Sequence, residues 1–133
     1  MKISDIEGIG PVYAEKLHEA DIQTTDDLLE KGKTPVERIK LSELTGITSG
    51  TLLQWINHAD LMRVKGVGSE YADLLEAAGV DTIVELARRN PANLVTAIKD
   101  CNEKKELVRR PPSEDMIAEW VDQAKKLGRK IEY

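Results

Sequence analysis

The sequence contains an internal repeat, and this repeat constrains the fold more than any other feature. The segment that starts at Ile6 reads IEGIGPVYAEKLHEADIQTTDDLL, and the segment that starts at Val64 reads VKGVGSEYADLLEAAGVDTIVELA. The two segments align without a gap. The matching pairs are Gly8 and Gly66, Gly10 and Gly68, Tyr13 and Tyr71, Ala14 and Ala72, Leu17 and Leu75, Ala20 and Ala78, Thr24 and Thr82, and Leu28 and Leu86. Such self-similarity predicts a duplicated supersecondary unit.

The repeat extends, more weakly, into a tryptophan-bearing segment in each half. LLQWINHA, from Leu52, resembles MIAEWVDQA, which ends at Ala124, so that Trp55 corresponds to Trp120. We therefore predict a first unit over residues 1–62 and a second over residues 63–133. Because apolar neighbours of each tryptophan recur at helical spacing, we expect both rings to be buried between the halves rather than exposed for stacking on bases.

Signals for helix starts and stops recur along the whole chain, whereas the alternation typical of strands is absent. Phe is absent and aromatic residues make up 4% of the chain, so the core must consist mainly of Leu, Ile, Val and Ala. We predict an all-α fold, two short-helix units packed as one compact globule. The expected helix starts are Pro11, Thr25 as a cap, Thr34-Pro35, Thr48, Thr82 with Glu85, Asn90-Pro91 and Ser113.

The predicted ends complete this interpretation. The first helix should end near Ala20, the next two near Gly32 and Gly46, and the last near Leu127. The charged stretch 102–112 is predicted to be the longest loop, and residues 128–133 an extended tail.

Composition excludes several classes of function. The chain has one cysteine and two histidines, which excludes an intramolecular disulfide and a four-cysteine zinc site. No phosphate-binding loop, dinucleotide fingerprint or metal motif occurs. We therefore predict a protein that is not an enzyme and that has no cofactor and no bound metal. Without a signal-peptide core or a membrane-length apolar run, the expected location is the cytoplasm, with no membrane partner.

The glycine turns are the candidate binding elements. Gly8-Ile9-Gly10 and Gly66-Val67-Gly68 each lead straight into a predicted helix. Glycine allows positive φ and close backbone approach, and a helix N-terminus presents N–H groups and the positive end of the helix dipole. This arrangement suits a phosphate group that is held without base readout. The alternative is that each turn is structural and that its aliphatic residue fills the core.

The turn and the helix after it resemble the helix-hairpin-helix motif, which DNA repair enzymes, ligases and recombination factors use for sequence-independent DNA contact. LLEAAGVDTIVELARRNPANL also resembles the C-terminal domain of the bacterial RNA polymerase α subunit. Over nearly its full length, including KKELVRRPPS and EWVDQAKKL, the chain resembles the DUF4332 family of helix-hairpin-helix-like proteins, whose function is unknown. The resemblance implies tandem helix-hairpin-helix-like units.

The two turns differ in their suitability for phosphate. The candidate nucleic-acid-binding residues of the second copy are Arg63, Lys65, Gly66, Val67, Gly68, Ser69, Arg88 and Arg89. In the first copy, Asp5 and Glu7 carry negative charge and Pro11 lacks an N–H donor, so that turn is predicted to be scaffold. The net charge of −5 opposes general attraction to phosphates, so binding would depend on a local patch and on low salt.

A second basic group of residues stands near the C-terminus: Lys104, Lys105, Arg109 and Arg110. It is either a solvated face or a surface for phosphate or an acidic partner. We thus expect a noncatalytic binding module for the DNA or RNA backbone, or an adaptor for a nucleic-acid enzyme. The alternative is a protein–protein interaction or scaffold domain with structural hairpins.

Overall fold

The computed structural model describes residues 1–133 and is helical throughout. A 3₁₀ turn at Ile3–Asp5 precedes eight α-helices: α1 (Pro11–Glu19), α2 (Thr25–Lys31), α3 (Pro35–Thr45), α4 (Ser49–Leu61), α5 (Ser69–Ala77), α6 (Ile83–Ala87), α7 (Pro91–Lys105) and α8 (Glu114–Leu127). The only β-type pairing is an isolated bridge between Lys2 and Thr24. The all-α prediction is confirmed.

Side-chain caps set most of the helix starts. Thr34, Thr82, Asn90 and Ser113 occupy the N-cap positions predicted for them and accept a hydrogen bond from the backbone N–H three residues on. Before α4, Thr48 Oγ1 accepts from the N–H of Thr51 at 3.3 Å. These bonds satisfy donors that a helix start leaves unpaired.

One cap was assigned to the wrong threonine. Thr24, not Thr25, is the N-cap of α2: its backbone is extended, and its Oγ1 accepts from the N–H of Asp27 at 3.1 Å. The Asp27 carboxylate in turn accepts from the N–H groups of Gln23 (3.0 Å) and Thr24 (3.1 Å). These backbone bonds, Gln23 first, lower the pKa of Asp27 below its ordinary value. Thr25 is instead the first helical residue and is buried.

The predicted loop 102–112 begins later than expected. Helix α7 continues through Lys105 and ends at Glu106, whose φ is +48°. The side chain of Asn102 then holds the turn, because its Oδ1 accepts from the N–H of Val108 (3.0 Å) and its Nδ2 donates to the Val108 carbonyl (3.1 Å). An amide side chain that bonds backbone in this way stabilises a tight return of the chain.

The chain divides into two units: residues 1–60 with 130–133, and residues 61–129. In the first unit, Arg38 is only 5% exposed and its guanidinium donates to the carbonyls of Gly32 and Lys33 at 2.8 and 3.1 Å. It also donates to the carbonyl of Glu132 at 2.8 Å, and the N–H of Glu132 donates to Lys33 at 2.9 Å. These bonds attach residues 130–133 to the first unit.

In the second unit, α8 packs against α6 and α7, and α5 packs against α7. The fully buried side chains here are aliphatic and include Leu61, Leu74, Leu75, Ile83 and Leu86. Trp120 adds an indole that is 3% exposed. The core therefore consists mainly of aliphatic residues, as the composition predicts.

The sequence repeat is also a repeat of backbone hydrogen bonds. Ile9 N–H donates to Ile6 and Val67 N–H donates to Val64, each at 3.1 Å, which closes the two glycine turns. Further on, the bond from Ile22 to Leu17 (2.9 Å) recurs between Val80 and Leu75 (2.8 Å). The glycines that open the turns have φ of +95° and +96°. The duplication in sequence is thus a duplication of local structure.

Candidate functional site

The second glycine turn lies at the surface with its apolar residue directed inward. Gly66 is exposed at positive φ, and Val67 is 2% exposed. Gly68 then adopts an extended N-cap conformation, and Ser69 begins α5. The glycine positions therefore allow a tight turn that leaves backbone at the surface beside a helix N-terminus.

The start of α5 lacks the capping acceptor that most helices of this chain have. Gly68 has no side chain and makes no side-chain cap, and the same is true of Gly10 at the start of α1. The six other α-helices begin after Thr, Asn or Ser side chains that accept from their first turn. The helices that follow the glycine turns are therefore the ones whose N-cap residue supplies no acceptor to the first turn.

Helix α8 holds the second turn in place through two side-chain contacts. Gln123 Oε1 accepts from the N–H of Lys65 at 2.9 Å, while its Nε2 donates to the Lys65 carbonyl at 3.2 Å. Trp120, one turn earlier on α8, has its Nε1 beside Gly66. These contacts hold the backbone of the turn against α8.

The basic residues predicted for this site have different surroundings. The Arg63 guanidinium donates to the carbonyls of Leu127 and Gly128, each at 3.1 Å, at the C-terminal end of α8. Lys65 is exposed beside Gly66. Arg88 and Arg89 lie at the C-terminal end of α6, outside the turn itself. Lys65 is therefore the basic side chain that the turn itself presents to solvent, and Arg63 positions the turn on α8.

A cleft adjoins the first turn of α5. This open cleft, of about 1050 Å³, is lined by Glu70, Tyr71, Asn102, Glu103, Glu106, Leu107, Val108, Arg109 and Arg110. The Tyr71 hydroxyl donates to the carbonyl of Arg110 at 3.1 Å. The structure thus brings Arg109 and Arg110 close to α5, the helix that follows the second glycine turn. Lys104 and Lys105, in contrast, are exposed at the C-terminal end of α7. The three glutamates give this cleft mixed charge.

The first glycine turn has similar geometry but different chemistry. Ile9 is 5% exposed, and Trp55 Nε1 lies beside Gly8 as Trp120 Nε1 lies beside Gly66. However, Pro11 is the first residue of α1, and Glu7 is exposed at the position of Lys65. The first unit has 7 basic and 12 acidic residues, whereas the second has 12 of each. The second turn therefore has the less negative surroundings.

Both tryptophans are buried, as predicted, and their aromatic contacts lie within their own units. Trp55 meets the Tyr13 ring at 5.3 Å between centroids, and Trp120 meets the Tyr71 ring at 5.2 Å. Stacking of either indole face on a base is therefore blocked. The role of Gln123 was missed from the sequence, because its only signal was a position three residues after Trp120.

Duplicated glycine turns that lead into helices define an all-helical repeat protein. The chain belongs to the DUF4332 family, described as a domain of unknown function, whose sequence model matches residues 7–127. Searches of curated proteins and of solved structures find no similar protein. None of the eight α-helices has both the length and the apolar character that crossing a membrane requires.

Proposed function

We propose that this protein is a noncatalytic binding module for the phosphate backbone of nucleic acid, acting through its second glycine turn. The observation that carries the proposal is the exposed turn at Gly66, which has Lys65 at its edge and leads into a helix without a side-chain cap. In this proposal each unit is a helix-hairpin-helix-like element. The protein works in the cytoplasm, alone or as an adaptor for a nucleic-acid enzyme.

The physical basis is the affinity of a helix N-terminus for anions. The aligned peptide dipoles place partial positive charge there, and glycine lets a phosphate approach the backbone closely. Such contacts carry no base information, so the expected binding is independent of sequence. Lys65 adds a full charge, and Arg88 and Arg89 with the group Lys104, Lys105, Arg109 and Arg110 extend positive charge over the same unit.

Preorganisation supports the second turn over the first. Gln123 and Arg63 tie the second turn to α8, so little conformational freedom is lost when a ligand binds. The first turn lacks a backbone donor at Pro11 and has the Glu7 carboxylate at its edge. One weak site per chain is the expected stoichiometry.

The test is a low-salt titration of single-stranded and duplex DNA with the full chain. Binding should weaken steeply as salt rises, because phosphate contacts release counterions. Lys65→Glu should remove binding. Lys40→Glu is the matched control, because it makes the same charge change at an exposed lysine of α3 in the first unit. Absence of binding at low salt, or equal loss in both variants, would contradict the proposal.

A second candidate function is a protein–protein interaction or scaffold domain. It is favoured by three exposed apolar side chains on α3, at Val36, Ile39 and Leu44. Apolar groups that share one short exposed helix are typical of a contact surface. In this case a pull-down from the host should recover a stable partner, and nuclease treatment should not release it. The Leu44→Asp variant should fail to retain that partner.

A further inference from the structure

The indole N–H of Trp120 is a donor that the chain itself does not use. The ring is 97% buried and contacts Tyr71, and Nε1 lies within 4 Å of the position that a Cβ at residue 66 would take. Nε1 donates no hydrogen bond within the chain. It is also absent from the polar atoms that are both fully enclosed and without a partner, so part of its surface reaches solvent. The small exposed part of the ring therefore includes its N–H edge.

Glycine at position 66 keeps this edge uncovered. A Cβ at this position would stand only 3.1 Å from Nε1. Gly66 also has φ of +96°, which residues with a Cβ rarely adopt. The same glycine thus shapes the turn and leaves a polar group of a buried ring accessible beside it.

This N–H reaches solvent and has no acceptor within the chain, so an acceptor on a ligand can replace water there. The surface beside the indole nitrogen is the exposed turn at Gly66, which leads into the N-terminus of α5. Both are places where an anion is favoured and a cation is not. The acceptor that fits this position is therefore an anionic oxygen that bridges the turn and the ring.

We infer that Trp120 is a ligand-binding residue, whose indole N–H donates a hydrogen bond to a phosphate oxygen held at the second glycine turn. This inference rests on the proposed function and adds a neutral donor to it. A neutral donor releases no counterion, so its removal lowers affinity without changing the dependence on salt. Loss of the Lys65 charge, in contrast, lowers both the affinity and its dependence on salt.

The first unit supplies an internal control. Trp55 has the same environment, with Nε1 3.4 Å from where a Cβ of Gly8 would lie, and its ring packs on Tyr13. The neighbouring turn, however, contains Glu7 and leads to Pro11. The two tryptophans therefore give two indole N–H signals in a proton–nitrogen spectrum, one beside the proposed site and one beside its scaffold counterpart.

The experiment follows both indole signals while a short duplex DNA is added to the full chain at low salt. The Trp120 indole signal should shift together with the backbone amides of residues 66–69, while the Trp55 signal stays in place. Trp120→Phe should weaken binding about three- to tenfold, as expected for one lost hydrogen bond, with an unchanged salt dependence. Trp55→Phe should bind like the wild type.

The outcomes separate this inference from the proposed function. Shifts at residues 66–69 without a shift of the Trp120 indole, together with unchanged affinity of Trp120→Phe, would overturn the inference and leave the proposed function standing. No shift anywhere, with no measurable binding, would overturn both. If Trp120→Phe fails to fold, the indole shift in the wild-type protein still decides the question.

Discussion

At the residue scale, the central feature is the pair of glycines that open the two repeated turns. Gly8 and Gly66 open their turns at φ of +95° and +96°, and each stands against a tryptophan Nε1. The backbone angle favours glycine at both positions, and at Gly66 a Cβ would in addition stand only 3.1 Å from the indole nitrogen. The aligned glycines were recognisable from the sequence, but the tryptophan contact was not, because the partners lie far apart in the chain.

Gly66→Ala tests this double requirement. The variant should lower the free energy of unfolding by about 1–2 kcal/mol from backbone strain, and more if the indole must move. Gly50→Ala is the control, because a Cβ there meets nothing within 4 Å and Gly50 lies inside α4, where alanine is the better helix former. Urea unfolding measures both. Equal stability of Gly66→Ala and the wild type would show that the turn tolerates a side chain.

At the scale of the element, the helix starts show what sequence patterns can predict. Asn90-Pro91 and Thr34-Pro35 were identified correctly, since the proline marks the first helical residue and leaves one choice for the cap. Thr24 and Thr25 lack such a marker, and adjacent threonines are equally good caps by type. The carboxylate of Asp27, three residues after Thr24, decides between them in the structure.

The cap of α2 makes a prediction about pH. The pKa of Asp27 is lowered in the folded state by the backbone bonds from Gln23 and Thr24. The contribution of Asp27 to stability is therefore present above the pKa that its carboxyl group has in the unfolded chain. It is lost as the pH falls through the lower pKa of the folded state. Asp27→Asn should be less stable than the wild type at pH 6, and the difference should narrow below about pH 4. Denaturant unfolding over this pH range measures it.

Asp26→Asn is the matched control for the α2 cap. Asp26 is exposed in the first turn of the same helix. Asp26→Asn should change the dependence of stability on pH less than Asp27→Asn does. If the two variants give the same profile, the backbone bonds to Asp27 do not control its ionisation.

The contact between the second glycine turn and helix α8 belongs to the same scale, that of the element. Gln123→Ala removes two hydrogen bonds to Lys65 and should cost about 1 kcal/mol, because the bonds are exposed to solvent. Amide exchange of Lys65 should become faster in this variant. Gln54→Ala, at an exposed glutamine of α4, is the control and should leave that exchange rate as it is. If the Lys65 amide exchanges as slowly in Gln123→Ala as in the wild type, Gln123 does not preorganise the turn.

At the scale of the whole molecule, the sequence repeat predicted the kind of fold but not every detail of the chain path. Residues 130–133 belong with the first unit although they follow the second in sequence, because Arg38 donates to the Glu132 carbonyl and the Glu132 N–H donates to the Lys33 carbonyl. A contact between residues so far apart leaves no local pattern. The distribution of charge, in contrast, can be counted from the sequence, and it favours the second unit for a polyanion.

The central claim is that the second glycine turn, and not the first, holds a nucleic-acid phosphate. The most direct measurement is the change in backbone amide signals of the full chain when a short duplex DNA is added at low salt. The largest changes should fall on residues 66–69 and disappear at high salt, with little change at Gly8 and Gly10. Changes confined to the first turn or to α3, or none at all, would contradict the claim.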